Sequence, residues 1–210
     1  MLSGWRLPTV LGMVALAIVA APLPGRQPAS SAVDTVKEAT RHLYAVLQEN
    51  HLLIERQPGV LYKLVEEALL PHADIEAMSR WVLGKYWREA SEAQRRRFEQ
   101  EFRRLLVRTY AAAVKDVVPG DIRYLPERPG TRADSRIVRT EVQRPDGPPL
   151  PINYYMYLRD GKWKLYDVRV EGISLITNYR SSFASEIRSK GIDGLISELA
   201  AKNDQESGGH

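Results

Sequence analysis

Apolar positions recur at helical spacing through the first half of the chain and alternate through much of the second. Val36, Leu43, Leu47 and Ile54 make one helical stripe, closed by Pro58-Gly59. Leu61, Leu64, Val65, Ala68 and Leu69 make a second, ended by Pro71, and Ile75, Met78 and Val82 begin a third that runs towards Trp87. The fourth is the clearest. Ser91 with Gln94 three residues on is a capping box, in which each side chain satisfies an orphan amide of the first turn. Phe98, Phe102, Leu105, Thr109 and Ala113 then recur on one face until Pro119-Gly120. Glu92 with Arg96, and Glu99 with Arg103, are acid-before-base pairs at i,i+4 on the wet side.

After Gly120 the period changes. Strands are expected at Ile122–Leu125, Arg136–Arg144, Ile152–Arg159 and Lys162–Val170. Asp160-Gly161 is a two-residue hairpin turn, which sets Leu158 opposite Trp163, Met156 opposite Leu165 and Tyr155 opposite Tyr166. Regular alternation then puts Ile152, Met156, Leu158, Trp163 and Leu165 on one face and Tyr155, Tyr157, Tyr166, Val168 and Val170 on the other. Both faces are apolar, so both should be covered. Helical spacing returns with Ile176, Tyr179, Phe183 and Ile187, stops at Gly191, and resumes briefly at Leu195, Ile196 and Leu199. Residues from Asn203 on are polar and expected to fray, with 204–210 a disordered tail. The order predicts an α+β fold: a single domain, with an antiparallel meander of about four strands wrapped by N-terminal and C-terminal helices.

The first residues read as an address. Arg6 precedes an uncharged run, Val10 to Ala21, that Pro22-Leu23-Pro24-Gly25 ends. This is the pattern of a secretory signal over 1–32, with cleavage after Ala21 or Ala32, leaving a domain over 33–203. The run is shorter than the ~20 residues a spanning helix needs; a retained anchor is the alternative. Hydrophobic residues at 44% and charged residues at 27% of 210 exclude a disordered chain. Basic residues number 30 and acidic 26, and cleavage after Ala32 removes Arg6 and Arg26, leaving 28 against 26, a net of +2. That is too little for a dedicated nucleic-acid binder. There is no cysteine, so disulfides, thiolate metal sites, cysteine nucleophiles and a lipid-attachment cysteine are excluded.

Catalytic and metal motifs are weak throughout. His42, His51, His72 and His210 are scattered, and His72, Asp74 and Glu76 sit where acids complement a helix start rather than in a metal-ligand pattern. Gly172-Ile173-Ser174 resembles half a nucleophile elbow but lacks the closing glycine, so Ser174 reads as the cap of the next helix. Asp167 and Arg169 read as a structural ion pair. The seven arginines from Arg88 to Arg108 are interleaved with Glu89, Glu92, Glu99 and Glu101 and diverge around a solvated helix. No catalytic residue and no metal site is assigned.

Two stretches carry a resemblance. One is Trp81-Val82-Leu83-Gly84-Lys85-Tyr86-Trp87-Arg88 with Ser91 and Phe98 to Tyr110. The other runs from Gly161-Lys162-Trp163 through Asp167-Val168-Arg169-Val170-Glu171-Gly172-Ile173-Ser174-Leu175 and Asn178-Tyr179-Arg180 to Gly191-Ile192-Asp193-Gly194. Together they are similar to the MlaC, or toluene-tolerance (Ttg), family, over about Val33 to Lys202. The resemblance implies a periplasmic, non-enzymatic, monomeric carrier that holds phospholipid acyl chains in a hydrophobic pocket with the headgroup towards solvent. It implies no cofactor, the phospholipid being cargo. Its implied partners are an inner-membrane ABC transporter complex and an outer-membrane lipoprotein–porin complex. A related branch leaves a hopanoid or another lipid as alternative cargo, and an adaptor or a periplasmic hydrolase as alternative roles.

Two chains of roughly 15 carbons represent over ~20 kcal/mol of burial at ~0.8 kcal/mol per methylene, and the space they need is near or above ~1,000 Å³. On that reading the lining draws on Leu83, Phe98, Phe102, Leu105, Leu106 and Tyr110 from the helices. The sheet adds Val138, Val142, Tyr155, Tyr157, Tyr166, Val168 and Val170, and Ile176, Tyr179 and Phe183 follow it. The Trp163 face is the alternative lining. Leu105→Asp is expected to abolish lipid binding with the fold intact.

Overall fold

The structure, a computed structural model, describes residues 30–115, 119–144 and 146–205; residues 1–29 of the expected signal segment and 206–210 of the expected tail lie outside the described residues. Seven helices and five strands follow in order: α1 (Ala32–Glu49), α2 (His51–Arg56), α3 (Val60–Leu69), α4 (Ile75–Leu83), α5 (Tyr86–Glu89), α6 (Glu92–Lys115), β1 (Ile122–Pro129), β2 (Ser135–Val142), β3 (Leu150–Arg159), β4 (Lys162–Val170), β5 (Ile173–Ser174) and α7 (Leu175–Gln205). The fold is α+β, a single domain as expected, with the short β5 making the meander five-stranded in the order β1-β2-β3-β4-β5.

Local signals set the helix ends. Ser91 and Gln94 form the reciprocal box, Gln94 N donating to Ser91 Oγ at 3.2 Å and Ser91 N to Gln94 Oε1 at 2.9 Å. Ser174 Oγ accepts from Thr177 N at 3.0 Å, capping α7 as expected. Gly84 ends α4 at φ +57°, where the Arg180 guanidinium packs so closely that a Cβ would lie 2.8 Å from Nη2. The third stripe therefore breaks into α4 and α5 instead of running on to Trp87. Gly191, at φ +73° and ψ 176°, is non-helical and interrupts α7, so the helical run from Leu175 stops there and a second run follows, as expected. The expected fraying from Asn203 is not seen: helix continues to Gln205, and Asn203 is buried, donating to Glu101 O at 3.0 Å and Oε2 at 2.8 Å. Glu92 does pair with Arg96, but Arg103 turns to Glu66 of α3 at 2.8 Å in place of Glu99. Thr109 is exposed, and Leu106 and Val107 continue the buried stripe of α6.

Three apolar clusters hold the layers. The largest lies among α4, α5, α6 and α7, with Phe98, Phe102, Phe183, Ile196 and Leu195 at its centre. A second joins α1, α3 and α6 through Leu43, Leu47, Leu61, Val65 and Ala111. The third packs the start of α1 onto one face of the sheet, through Ala32, Val36, Val138 and Met156. The opposite face of the sheet turns towards α4 and α7.

The hairpin register is as expected next to its turn, with Leu158 opposite Trp163 and Met156 opposite Leu165. Beyond that a bulge places one extra residue, Tyr166, on β4, and Tyr155 pairs with Asp167 rather than Tyr166. The extra residue reverses the parity of the strand. Val168 lies opposite Tyr154 and Val170 opposite Ile152, so both share the α1 face with Met156 and not the helix-layer face with Tyr155.

Candidate functional site

The predicted lining residues fall into three groups. Leu83, Phe98, Phe102, Leu105, Leu106, Ile176 and Phe183 are buried together in the α4–α7 cluster, against which Tyr110 and Tyr179 pack. Phe102 meets Phe183 and Tyr179 edge-on at 6.1 and 5.5 Å between centroids, and Tyr110 and Tyr179 share a hydrogen bond. This is close-packed helix–helix core. Leu105 is 5% exposed, so an aspartate there would bury a charge and unfold the helix layer instead of leaving the fold intact.

Val138, Val142, Val168 and Val170 form a second group on the α1 face, where Val138 is fully buried under α1. Tyr155, Tyr157 and Tyr166 are the third. They stand half-buried on the helix-layer face, with Tyr166 5.6 Å from Tyr157 and 6.2 Å from Tyr155 between ring centroids. Across from them is Trp81 of α4, edge-on to Tyr166 at 4.6 Å and 41% exposed. Burial, and then the nearby Asp167 carboxylate, push the Tyr166 phenol up.

These aromatics wall a seam between sheet and helices. Among the described residues the helix layer meets this face chiefly along β4, through α4 and α7, while Ile137, Arg139, Asn153 and Tyr155 of β2 and β3 remain half-buried. Sequence reasoning missed Trp81, Ile137, Arg139 and Asn153 as seam residues. The signal for the last three was available in the β2–β3 register, which puts Ile137 opposite Tyr155 and Arg139 opposite Asn153.

One end of the seam is tied by Asp74. Its Oδ1 accepts from Ala77 N at 2.9 Å, capping α4, and Oδ2 accepts from the Tyr157 hydroxyl and from Arg159 Nη1 at 2.5 Å. Asp74 is thereby committed to a cap and a clamp, and His72 and Glu76 do not join it in a metal-holding group. Beside the clamp is an open hollow of about 320 Å³ bounded by Glu76, Arg80, Arg132, Asp134, Tyr157 and Arg159. A second hollow, of about 630 Å³, lies between α3 and α6 around Glu66, Leu70, Ile75 and Arg103. Neither reaches the ~1,000 Å³ expected for two chains, and neither is walled by the predicted lining as a whole.

Acyl-transfer chemistry finds no nucleophile in Ser174. Its hydroxyl donates to Asp167 Oδ2 at 2.8 Å while accepting from Thr177 N, so it is a cap and not a poised oxygen. No helix among the described residues is long and apolar enough to cross a membrane.

A sequence model of the MlaC protein family matches residues 37–201. The chain is 25% identical over 167 residues to the intermembrane phospholipid transport system binding protein MlaC of Haemophilus influenzae, covering 78% of each chain. It is 28% identical over 176 residues to the toluene tolerance protein ttg2D of Pseudomonas putida, covering 80% of each. Its structure superposes with a TM-score of 0.72 on that of a phospholipid-binding protein from Ralstonia solanacearum in complex with a phospholipid, at 28% identity, covering 81% of this chain and 96% of that one. With helices, meander and aromatic seam in the arrangement described, and the family pattern running from within α1 into the last turns of α7, the chain belongs to the MlaC family.

Proposed function

We propose that this chain is a periplasmic phospholipid carrier that accepts a lipid from one membrane system and delivers it to another. The observation that carries the reading is its likeness to the Ralstonia protein, which holds a phospholipid within nearly the same length of chain. The physical case is the cost of moving acyl chains through water. Over ~20 kcal/mol of apolar burial is at stake for a two-chain lipid, so transfer needs a protein wall that approximates membrane solvation without exceeding it.

The seam supplies that wall. The helices' own core is full, so the chains lodge between the helix layer and the sheet, against Tyr155, Tyr157, Tyr166 and Trp81, by parting the two layers. Half-buried aromatics suit this, being apolar in body and tolerant of water at the hydroxyl. The partners are an inner-membrane ABC transporter complex and an outer-membrane lipoprotein–porin complex, the chain acts as a monomer, and the lipid is cargo rather than cofactor.

The test is organic extraction of the protein purified from the periplasm, followed by lipid mass spectrometry. Stoichiometric phospholipid is the expected result. A protein that is folded, free of extractable lipid and unable to take lipid from vesicles would overturn the carrier reading.

A further inference from the structure

Cross-strand register sets three polar side chains in a row on the face turned to the helices. Arg139 of β2 lies opposite Asn153 of β3, and Asn153 lies opposite Arg169 of β4. Adjacent strands are about 4.8 Å apart, so the two arginines flank the asparagine closely enough to close on one group above it.

The donors in this row are spare. Among the described residues neither Arg139 nor Asn153 has a side-chain hydrogen bond or an ion pair. The Arg169 guanidinium stands over the Tyr155 ring, 4.4 Å from its centroid. Its Nε is buried without a hydrogen-bond partner, the nearest carboxylate oxygen, Asp167 Oδ2, being 3.6 Å away, beyond hydrogen-bonding range. Asp167 is committed elsewhere, accepting from Ser174 Oγ at 2.8 Å and Ile176 N at 3.2 Å. On the same face Glu141 is taken by Arg123. Asp167 thus lies near Arg169 alone, Arg139 has no carboxylate partner among the described residues, and positive charge is left over.

Half-buried arginines with open donors are costly unless an anion meets them. The neighbouring row on this face is Ile137, Tyr155 and Asp167, the last bonded to Ser174 Oγ and Ile176 N, so along β2 and β3 the order is apolar wall, then cationic row. An acyl chain followed by a phosphate has the same order.

The geometry points to a subsite for the phosphodiester of the cargo lipid, gripped between Arg139 and Arg169 with Asn153 donating from the floor. This rests on the carrier reading and refines it: the phosphate is held at the sheet and only the group beyond it is left to water. The subsite selects phospholipids over uncharged lipids of equal chain volume.

The full mature chain, stripped of lipid, is exchanged against phosphatidylglycerol vesicles doped with diacylglycerol of the same acyl chains, and the bound lipids are counted by mass spectrometry. Wild type is expected to enrich phosphatidylglycerol over diacylglycerol relative to the vesicle. The double variant Arg139→Gln/Asn153→Ala lowers that enrichment about tenfold, the scale of a lost charge-assisted hydrogen bond. Arg123→Gln, on the same face but paired with Glu141, leaves the enrichment as it was. Should the double variant not fold, Arg139→Lys, which keeps the charge and loses the fork, carries the test with a smaller fall. Equal enrichment in wild type and folded variants overturns the subsite. So does an effect of added inorganic phosphate on phosphatidylglycerol uptake that is equal in wild type and double variant, since phosphate then acts elsewhere than at this row. Wild type that takes up neither lipid instead removes the carrier reading on which the subsite depends.

Discussion

Asp74 ties the helix layer to the sheet through four bonds: its carboxylate accepts from Ala77 N at the α4 cap, from the Tyr157 hydroxyl and from Arg159, and its backbone N donates to Leu165 O at 2.9 Å. Burial pushes its pKa up, but the hydrogen bonds from Tyr157, Ala77 N and Arg159 together outweigh that and hold the carboxyl below its ordinary range. A depressed folded pKa gives stability that is present above the unfolded value, near ~4, and lost as pH falls through the folded value. Asp74→Asn should therefore lower stability at neutral pH by about 1–3 kcal/mol, with the gap to wild type closing below about pH 4. Urea melts at pH 7 and in acid check this, and a gap independent of pH would refute it. The helix-start role of Asp74 was legible because a cap spans three residues. Its other partners lie 83 and 85 positions away in sequence, where no local pattern reaches.

The same contrast between near and far runs through the elements. The capping box at Ser91, the cap at Ser174, the β4 limits and the Asp160-Gly161 turn could all be read from a few adjacent residues. The burial of Asn203 could not, because its partner Glu101 belongs to α6, and polarity alone suggested a loose end. The first helix bears on processing. Ser31 caps α1, its Oγ accepting from Asp34 N at 3.1 Å, and the Asp34 carboxylate accepts in turn from Ser31 N at 3.4 Å. Ala32 is fully buried beneath Val36 against Val138 and Met156. Cleavage after Ala32 would strip the cap, worth about 1 kcal/mol, and part of the seal over the sheet. Cleavage after Ala21 keeps both. Intact-mass measurement of the exported protein should find an N-terminus upstream of Ser30, and a chain beginning at Val33 would contradict this.

At the scale of the whole molecule each face of the sheet meets helices mainly along one strand, α1 on β2 on one side and α4 and α7 on β4 on the other. Both faces were expected to be apolar and covered, but which one could part was not legible, since alternation assigns residues to faces without saying how firmly each face is held. Loading with phospholipid should slow backbone hydrogen exchange in β2, β3 and α4 around the seam and leave the α1–β2 contact unchanged. Protection centred on α1 instead would move the cargo to the Trp163 face. The candidate lining met the same blindness: seven of its members are buried in the helix cluster and four valines lie on the α1 face, because an apolar residue in sequence does not say which layer it will join. The extra residue in β4 explains how one strand serves so many ends. A regular strand sends consecutive side chains to opposite sides, yet here Tyr166 and Asp167 both point at the helices, one meeting Trp81 and the other fastening the first turn of α7. A single irregularity lets adjacent positions be a greasy surface and a polar anchor, so the strand that walls the seam is also the one that positions the start of α7.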